Sequence, residues 1–352
     1  MDDLFTDMQK PREEAEAGAL ATDRPSPLGA AVSAYLMGTA DQRSDLVNPV
    51  RSQAAAALDA GNLDEVAATI EDLLIQPVPD PDAATLARML ITTPVQRRLV
   101  LRMGEEKDEG RREALIAALA TLGASMAQTI SDALSQTEDR HARRSYVRTL
   151  VAMGQEGMTV VEEMLEDSRW FVVRNGVMVL GEVGGDTAVT FLTSTLAHSD
   201  ARVRRETVIS LAKIGGEDAG MLALGMFEDL DEDVRAGAVR AVGVLKVERA
   251  LRPLLELLED EEQDSVVEQV LRSLGQLGDP GAVPSIQKRA VGTFLRKPPT
   301  DMRVAAYTAL GAIGTPHAMN LVEEARDDKD ADVRSVVRSV LAARKSVAEA
   351  GS

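Results

Sequence analysis

Apolar and polar positions along this chain repeat in a pattern of about 31 residues that returns eight times between residue 111 and the C-terminus. Each copy has an anchor position, and an apolar residue follows every anchor eight residues later. Successive anchors are 31, 30, 31, 31, 32, 36 and 31 residues apart. The anchors, which number repeats one to eight, are Arg111, Ala142, Val172, Val203, Val234, Val266, Met302 and Val333, and the residues at +8 are Leu119, Leu150, Leu180, Leu211, Val242, Leu274, Leu310 and Leu341.

This spacing predicts a solenoid of paired helices, because a unit so short cannot bury its apolar face alone and must stack on its neighbours. In repeat four, Val203, Leu211 and Ile214 lie on one stripe at helical spacing. Asp at −3 is placed to cap this helix, and Gly at +12 fits a left-handed helix end. We therefore predict an all-α, right-handed α-solenoid of helical-pair repeats. The capping residues are Asp108, Asp139, Asp200, Asp231 and Asp330, and the glycines are Gly123, Gly154, Gly184, Gly215, Gly278 and Gly314.

Proline and charge patterns divide the chain into four predicted regions. Residues 1–28 are expected to be an acidic, disordered tail, and residues 345–352 a frayed C-terminal tail. Residues 29–104 are expected to form an N-terminal helical region with a degenerate cap, interrupted by a proline-rich linker at residues 76–82. Residues 105–344 are expected to form the solenoid itself.

One spacing between anchors is longer than the others. The 36 residues from Val266 to Met302 contain an insertion, Gly292–Thr300, that includes Pro298 and Pro299. It is either a loop that contacts a partner or a tolerated surface insertion, and the sequence does not choose between them.

Composition limits the chemistry that the chain can perform. Its 352 residues are 45% hydrophobic but only 3% aromatic, so the core must consist mainly of aliphatic side chains. The absence of cysteine excludes disulfides, thiolate metal sites and cysteine nucleophiles. No signal-peptide pattern follows Met1, and no apolar run approaches the roughly 18 residues of a spanning helix, so we expect a cytoplasmic protein without a membrane segment. A formal charge of −18 disfavours binding to nucleic acid, which requires a basic surface.

The repeated phrase resembles a known repeat family. Val203-Arg204, Asp231-x-x-Val234-Arg235, Val333-Arg334 and Leu310-Gly311-x-Ile313-Gly314 are similar to the short bacterial HEAT-like repeat that also occurs in phycobilin lyases. The resemblance implies that the Val-Arg helix is the inner one and lines a concave surface. It also implies that the arginine at +1 is structural and joins neighbouring repeats through an acidic partner. This arginine occurs as Arg112, Arg143, Arg204, Arg235, Arg303 and Arg334, while repeats three and six have Val173 and Val267.

Motifs for catalysis are weak or absent. One HEAT-like enzyme family, the deoxyhypusine hydroxylases, binds iron through His-Glu dipeptides, but no histidine here precedes a glutamate. Ser210-x-x-Lys213 matches a nucleophile pattern, yet its partner motifs are missing and chance explains it better. We therefore expect no catalytic residue, no metal and no cofactor. The histidines stand in His141-Ala142, His198-Ser199 and His317-Ala318.

The polar face of the inner helices in repeats two to four contains the best candidate site. At 100° per residue, positions −2, −1, +2, +3, +6 and +10 point away from the core. In these repeats they contain seven Arg or Lys residues against two Glu, together with the only tryptophan and an adjacent phenylalanine. Buried Trp and Arg residues often dominate binding energy at interfaces. The candidates are Arg140, Arg144, Arg148, Trp170, Phe171, Arg174, Asn175, Arg202, Arg205 and Lys213.

Two alternative interpretations of these residues stay open. Trp170 and Phe171 begin a helix and could pack between repeats. The arginines could be solvated, or could pair with acidic residues of neighbouring repeats. Tyr146 and Tyr307, by contrast, fall on the core face.

These features favour a non-enzymatic scaffold or adaptor that binds a partner protein in its concave groove. The partner segment would be acidic or phosphorylated, because the candidate surface is basic. Two other classes remain as alternatives, namely a nucleic-acid-binding HEAT-like protein and an accessory subunit of a lyase or another enzyme complex. The repeated pattern does not identify the partner, the pathway or the oligomeric state.

Overall fold

The structure is a computed structural model that describes residues 25–292 and 297–350, with side chains as far as residue 345. The chain divides into two compact units, residues 1–103 and 104–352. Within the described ranges it consists of twenty α-helices and short 3-10 turns without any strand, which confirms the all-α prediction.

The first unit is built from five helices of 10 to 20 residues. Ser26 begins α1 because its hydroxyl accepts a hydrogen bond from the amide of Gly29 (3.0 Å), and Leu28 is buried. The disordered tail was predicted over residues 1–28, but residues 27 and 28 already belong to the first helix. Residues 1–24 lie outside the described residues. The helices are α1 (Pro27–Met37), α2 (Ala40–Asp59), α3 (Leu63–Leu74), α4 (Pro81–Leu90) and α5 (Thr93–Glu105).

The proline-rich connection between α3 and α4 is shorter than the sequence predicts. Pro81 is already the first residue of α4, where a missing amide hydrogen costs nothing. Asp80 caps this helix by accepting from the amides of Asp82 (3.1 Å) and Ala83 (3.0 Å), and it also forms an ion pair with Arg43 of α2. The linker predicted over 76–82 is thus a connection of six residues, anchored at its C-terminal end.

In the second unit, each of the first seven repeats contributes two helices, and the eighth contributes α20. The last helix continues to Ala350, so the tail predicted from residue 345 is helical up to that residue. The first helices of the repeats are α6 (Glu109–Leu119), α8 (Arg140–Ala152), α10 (Trp170–Val183), α12 (Ala201–Ile214), α14 (Glu232–Val244), α16 (Asp264–Leu277), α18 (Thr300–Ile313) and α20 (Ala331–Ala350). The second helices are α7 (Ala124–Gln136), α9 (Gln155–Leu165), α11 (Gly185–Thr195), α13 (Glu217–Leu224), α15 (Leu251–Asp260), α17 (Val283–Val291) and α19 (Pro316–Glu324).

The first helices of successive repeats pack closely on one another, whereas the second helices contact each other less. Glycines allow this close approach. A Cβ atom on Gly181 of α10 would lie 2.6 Å from the Oγ atom of Ser210 in α12. A Cβ atom on Gly275 of α16 would lie 2.9 Å from the Cα atom of Ala309 in α18. The Val-Arg helices therefore form the tighter, inner layer of the solenoid, as the family resemblance implies.

The predicted repeat positions play the structural roles that the sequence suggests. All the anchors except Arg111 are buried, and the five Asp residues at −3 accept hydrogen bonds from backbone amides of the helices that they begin. The six glycines at +12 all have positive φ. Of these glycines, Gly278 and Gly314 adopt the left-handed helical conformation. Repeat five has Lys246 at this position, also with a positive φ of 51°. The core also contains Tyr146 and Tyr307, as predicted.

Candidate functional site

In repeats four, five and seven, the arginines at +1 form a ladder in which each joins its repeat to the next, while repeat six has Val267 at this position. Arg204 donates through Nε and Nη2 to the two carboxylate oxygens of Asp229, at 2.7 Å each, and through Nη1 to the carbonyl of His198 (2.9 Å). Arg235 pairs in the same way with Glu261 (2.7 and 3.0 Å) and the carbonyl of Asp229 (2.9 Å). Each guanidinium therefore connects the loop before its own helix to the loop before the next repeat.

Repeat seven follows the same rule, since Arg303 pairs with Asp328 and its Nε donates to the carbonyl of Ala290 (3.2 Å). Burial alone would raise the pKa of Asp229, but the bonds from Arg204 and from the amide of Asp231 outweigh it and hold that pKa below its usual range. These contacts confirm the structural role that the family resemblance implies for Arg204, Arg235 and Arg303. Within the described residues, Arg112 and Arg334 donate only to backbone carbonyls before their own helices.

The ladder is broken in repeats two and three. Arg143 still donates through Nη2 to a carbonyl before its own helix, that of Thr137 (2.8 Å). The acid at the matching place in the next repeat, Asp167, is instead bound by Arg169 through Nε (2.9 Å) and Nη2 (2.8 Å). The Nε–H group of Arg143 is consequently buried without a hydrogen-bond partner. In repeat three the +1 position is Val173, which is buried and offers no charge at all.

Trp170 lies at this break, as the first residue of α10. Arg169 precedes it where five other repeats have the capping Asp, and the helix has no side-chain cap. The Trp170 ring is half-buried and meets Phe171 edge-on, with 5.9 Å between ring centroids. The guanidinium carbon of Arg202, from the next repeat, stands 3.4 Å from the Trp170 ring centroid, and that of Arg174 stands 5.7 Å from it. Both distances are within the range of cation–π attraction.

Arg174 is the second guanidinium with an unsatisfied group. Its Nη2 donates to the side-chain oxygen of Asn175 (3.1 Å), but its Nε–H is buried without a partner. Burial lowers the pKa of Arg174; Glu206 opposes this effect, while Arg143 and Arg202 add to it. Burial likewise raises the pKa of Glu206, against the positive charges of Arg174, Arg205 and Arg143. These effects place Glu206 within electrostatic reach of both unsatisfied guanidinium groups.

One predicted site residue does not face solvent. Asn175 is buried, and its Nδ2 donates to the carbonyl of Leu134 in the preceding repeat (3.1 Å). Ser145, at the same +3 position of repeat two, is buried as well. The helical-wheel argument treats each helix as if it had one buried face, whereas a solenoid helix also packs sideways on the next repeat. Asn175 is therefore a structural residue.

Most of the other predicted cations are neutralised by acidic neighbours. Arg148 pairs with Glu113 of repeat one, Arg205 with Asp233 of repeat five (3.1 Å), and Lys213 with Glu182 of repeat three. Arg202 forms a two-bond pair with Asp200 (3.0 and 2.7 Å). Pairing with acidic residues of neighbouring repeats, which the sequence left open, accounts for Arg148, Arg205 and Lys213, whereas Arg202 pairs within its own repeat. Arg140 and Arg144 are exposed and form no ion pair within the described residues.

Sequence reasoning missed two residues of this arrangement, Arg143 and Arg169. The sequence places Arg143 among the structural arginines at +1. It lacks an acidic partner only because Arg169 binds Asp167, and a contact between two other residues is not visible in the repeat pattern. A signal was nevertheless present: Arg169 replaces the usual Asp at −3, and Val173 replaces the usual Arg at +1.

The comparisons with known proteins agree with this architecture. The family model of HEAT repeats matches residues 159–222 and 221–293, from α9 to the end of α17. The chain carries HEAT-like repeats. No curated protein matches the sequence.

Solved structures with a similar fold are α-solenoids. Kap121p bound to Pho4p aligns with 89% of this chain at 12% identity and a TM-score of 0.52, and Kap121p bound to RanGTP aligns with 89% at 13% and 0.51. The chain spans 39% of the length of Kap121p in both structures. An engineered protein aligns with 90% of this chain and 98% of its own length, at 15% identity and a TM-score of 0.40. At these identities the likeness concerns the fold alone.

The described residues form neither a metal-binding cluster nor a membrane-spanning helix. No group of three or more His, Cys, Asp or Glu side chains in that part of the chain could hold a metal ion. None of the helices described there is long and apolar enough to cross a membrane.

Proposed function

We propose that the inner surface of HEAT-like repeats two to four binds a partner protein, and that the protein acts as a non-enzymatic scaffold or adaptor. The partner segment would be acidic or phosphorylated. The observation that carries this proposal is the break in the arginine ladder, because it leaves positive charge unsatisfied beside a half-buried aromatic pair in a chain of charge −18. HEAT-repeat solenoids typically bind proteins and are typically not catalysts, and the titles of the two Kap121p structures name the proteins Pho4p and RanGTP as bound.

The exposed Arg140 and Arg144 would form the outer edge of this surface. Exposed charges at an interface act mainly by attracting the partner, whereas Trp170 and Arg174, which are half-buried, would contribute more to the lifetime of the complex. We likewise propose that the repeats are of the type found in phycobilin lyases and that the protein is cytoplasmic. No observation favours nucleic acid, since four of the seven predicted cations are already paired within the protein.

Affinity enrichment with matched variants tests the proposal. The immobilised protein is compared with Arg140→Glu/Arg144→Glu, and with Arg252→Glu as a control, because the Arg252 side chain is 89% exposed and lies outside the surface. A partner should be retained by the wild type and by the control but lost from the double variant. Calorimetric titration of the purified partner into each form should rank their affinities in the same order. Equal retention by all three forms would contradict the proposal, and so would enrichment of nucleic acid in place of protein.

A further inference from the structure

We propose that the break in the arginine ladder is a binding site for a single carboxylate of the partner, held by Arg143 and Arg174. This inference rests on the proposed function and sharpens it, because it selects an Asp or Glu side chain over a phosphorylated residue.

Unsatisfied hydrogen-bond donors mark this site. Buried polar groups are nearly always satisfied, and an unsatisfied group attached to a charge is the most costly kind. In the residues for which side chains are described, the buried side-chain nitrogen and oxygen atoms without a hydrogen-bond partner are the Nε atoms of Arg143 and Arg174. Both lie in consecutive repeats of the same surface, and both act electrostatically on Glu206. An external acceptor at this place would meet donors that the protein itself leaves unsatisfied.

The donor also matches the ligand in geometry. A guanidinium presents its N–H groups in a rigid fork that fits the two oxygens of a carboxylate. Arg204 and Arg235 show this two-bond geometry with Asp229 and Glu261 in the intact part of the ladder. A partner carboxylate at the break would take the place that an acid of the next repeat occupies elsewhere.

Charge balance separates a carboxylate from a phosphate. Arg169, Arg202 and Arg205 are already paired with acids. Among the half-buried side chains, Arg143 and Arg174 face the single negative charge of Glu206, which leaves a surplus of one positive charge within this group of three. Arg140 and Arg144 lie outside the group and are exposed to solvent. A carboxylate neutralises that surplus, whereas a phosphate of charge about −1.5 to −2 would leave excess negative charge beside Glu206.

Trp170 prepares the site for binding. Its ring attracts the guanidinium of Arg174 at 5.7 Å and that of Arg202 at 3.4 Å, which limits the conformations open to both side chains before a ligand arrives. Less conformational freedom is then lost on binding.

Nuclear magnetic resonance of the full-length protein, labelled with ¹⁵N-arginine, tests the inference through the Nε–H signals of Arg143 and Arg174. The probes are N-acetyl-glutamate amide, N-acetyl-phosphoserine amide and the uncharged N-acetyl-glutamine amide. The glutamate probe should shift both signals saturably, the glutamine probe should not, and the phosphoserine probe should bind more weakly. The signals are assigned with the variants Arg143→Lys and Arg174→Lys. Each variant should lower the affinity for the glutamate probe about ten-fold, a loss of about 1.4 kcal/mol in binding free energy.

The signal of Arg204 is the internal control, because its Nε already donates to Asp229. Glu206→Gln should strengthen binding of the glutamate probe, since it removes the negative charge that opposes the ligand; a weaker or unchanged affinity would contradict the charge argument. Unmoved signals of Arg143 and Arg174, an equal shift at Arg204, or tighter binding of the phosphoserine probe would each overturn the inference. If a partner still requires Arg140 and Arg144 but ignores Arg174→Lys, this inference fails while the proposed function stands.

Discussion

Repeats four and five differ from repeats two and three in how they use the same arginine. In the former, Arg204 and Arg235 each have an acid in the next repeat, and their guanidinium groups are fully engaged in holding the solenoid together. In the latter, Arg143 has lost its acid to Arg169, and Val173 interrupts the series. Where the +1 arginine has an acid in the next repeat, it stabilises the solenoid. Where that acid is missing, its N–H groups are left to bind a carboxylate from outside the protein.

This difference predicts opposite consequences for the same substitution. Arg204→Met should destabilise the protein by about 3 kcal/mol, because it leaves the buried Asp229 carboxylate, 5% exposed, without its counter-charge. Arg143→Met should cost less than about 1 kcal/mol, since the guanidinium that it removes has one backbone acceptor and an unsatisfied Nε–H. Urea unfolding of the two variants measures both values. Equal losses would show that the ladder is not broken at Arg143.

The next largest effect concerns Trp170. Trp170→Ala should reduce stability by about 1–2 kcal/mol, because the half-buried ring loses apolar contact and its cation–π attraction to Arg202 and Arg174. Trp170→Phe should lose less than half as much stability as Trp170→Ala, since phenylalanine offers a similar aromatic face. A loss of 3–5 kcal/mol for the alanine variant, the size expected for a fully buried aromatic residue, would assign Trp170 to the core. It is the only tryptophan in the chain, so its fluorescence also reports directly on the removal of Arg202.

A smaller effect should appear in the acid range. The bonds from Arg202, opposed by burial, lower the pKa of Asp200 to about 2. An unfolded chain protonates this group near its ordinary value of 3.8, so the stabilising contribution is present above pH 3.8 and is lost as the pH falls towards 2. Asp200→Asn keeps the capping oxygen but removes the charge. The difference in melting temperature between wild type and this variant should therefore shrink below pH 3.8, and a constant difference from pH 5 to pH 2 would refute the pairing.

The repeat pattern was enough to predict the helical pairs, their caps and the positive φ of the glycines that follow the first helices, because these depend on residues within one repeat. Asp231 caps α14 through the amides of Asp233 and Val234, which are two and three residues away. Contacts between repeats were harder to predict. The burial of Asn175 depends on a carbonyl 41 residues earlier, and the unsatisfied Arg143 depends on a competition between Arg169 and the ladder for Asp167.

The central claim is that the positive charge left over at the break is what binds the partner, and one substitution tests it directly. Arg169→Asn should release Asp167 to pair with Arg143, as Asp229 pairs with Arg204, and should give α10 a capping residue worth about 1 kcal/mol. Arg140→Asn is the control, because it removes one charge from the same surface without releasing Asp167.

The deciding measurement is calorimetric titration of the glutamate probe, or of the enriched partner, into both variants, alongside their melting temperatures. The account predicts that Arg169→Asn raises the melting temperature and weakens binding about ten-fold, while Arg140→Asn changes both only slightly. A more stable Arg169→Asn variant that binds as tightly as the wild type would contradict it.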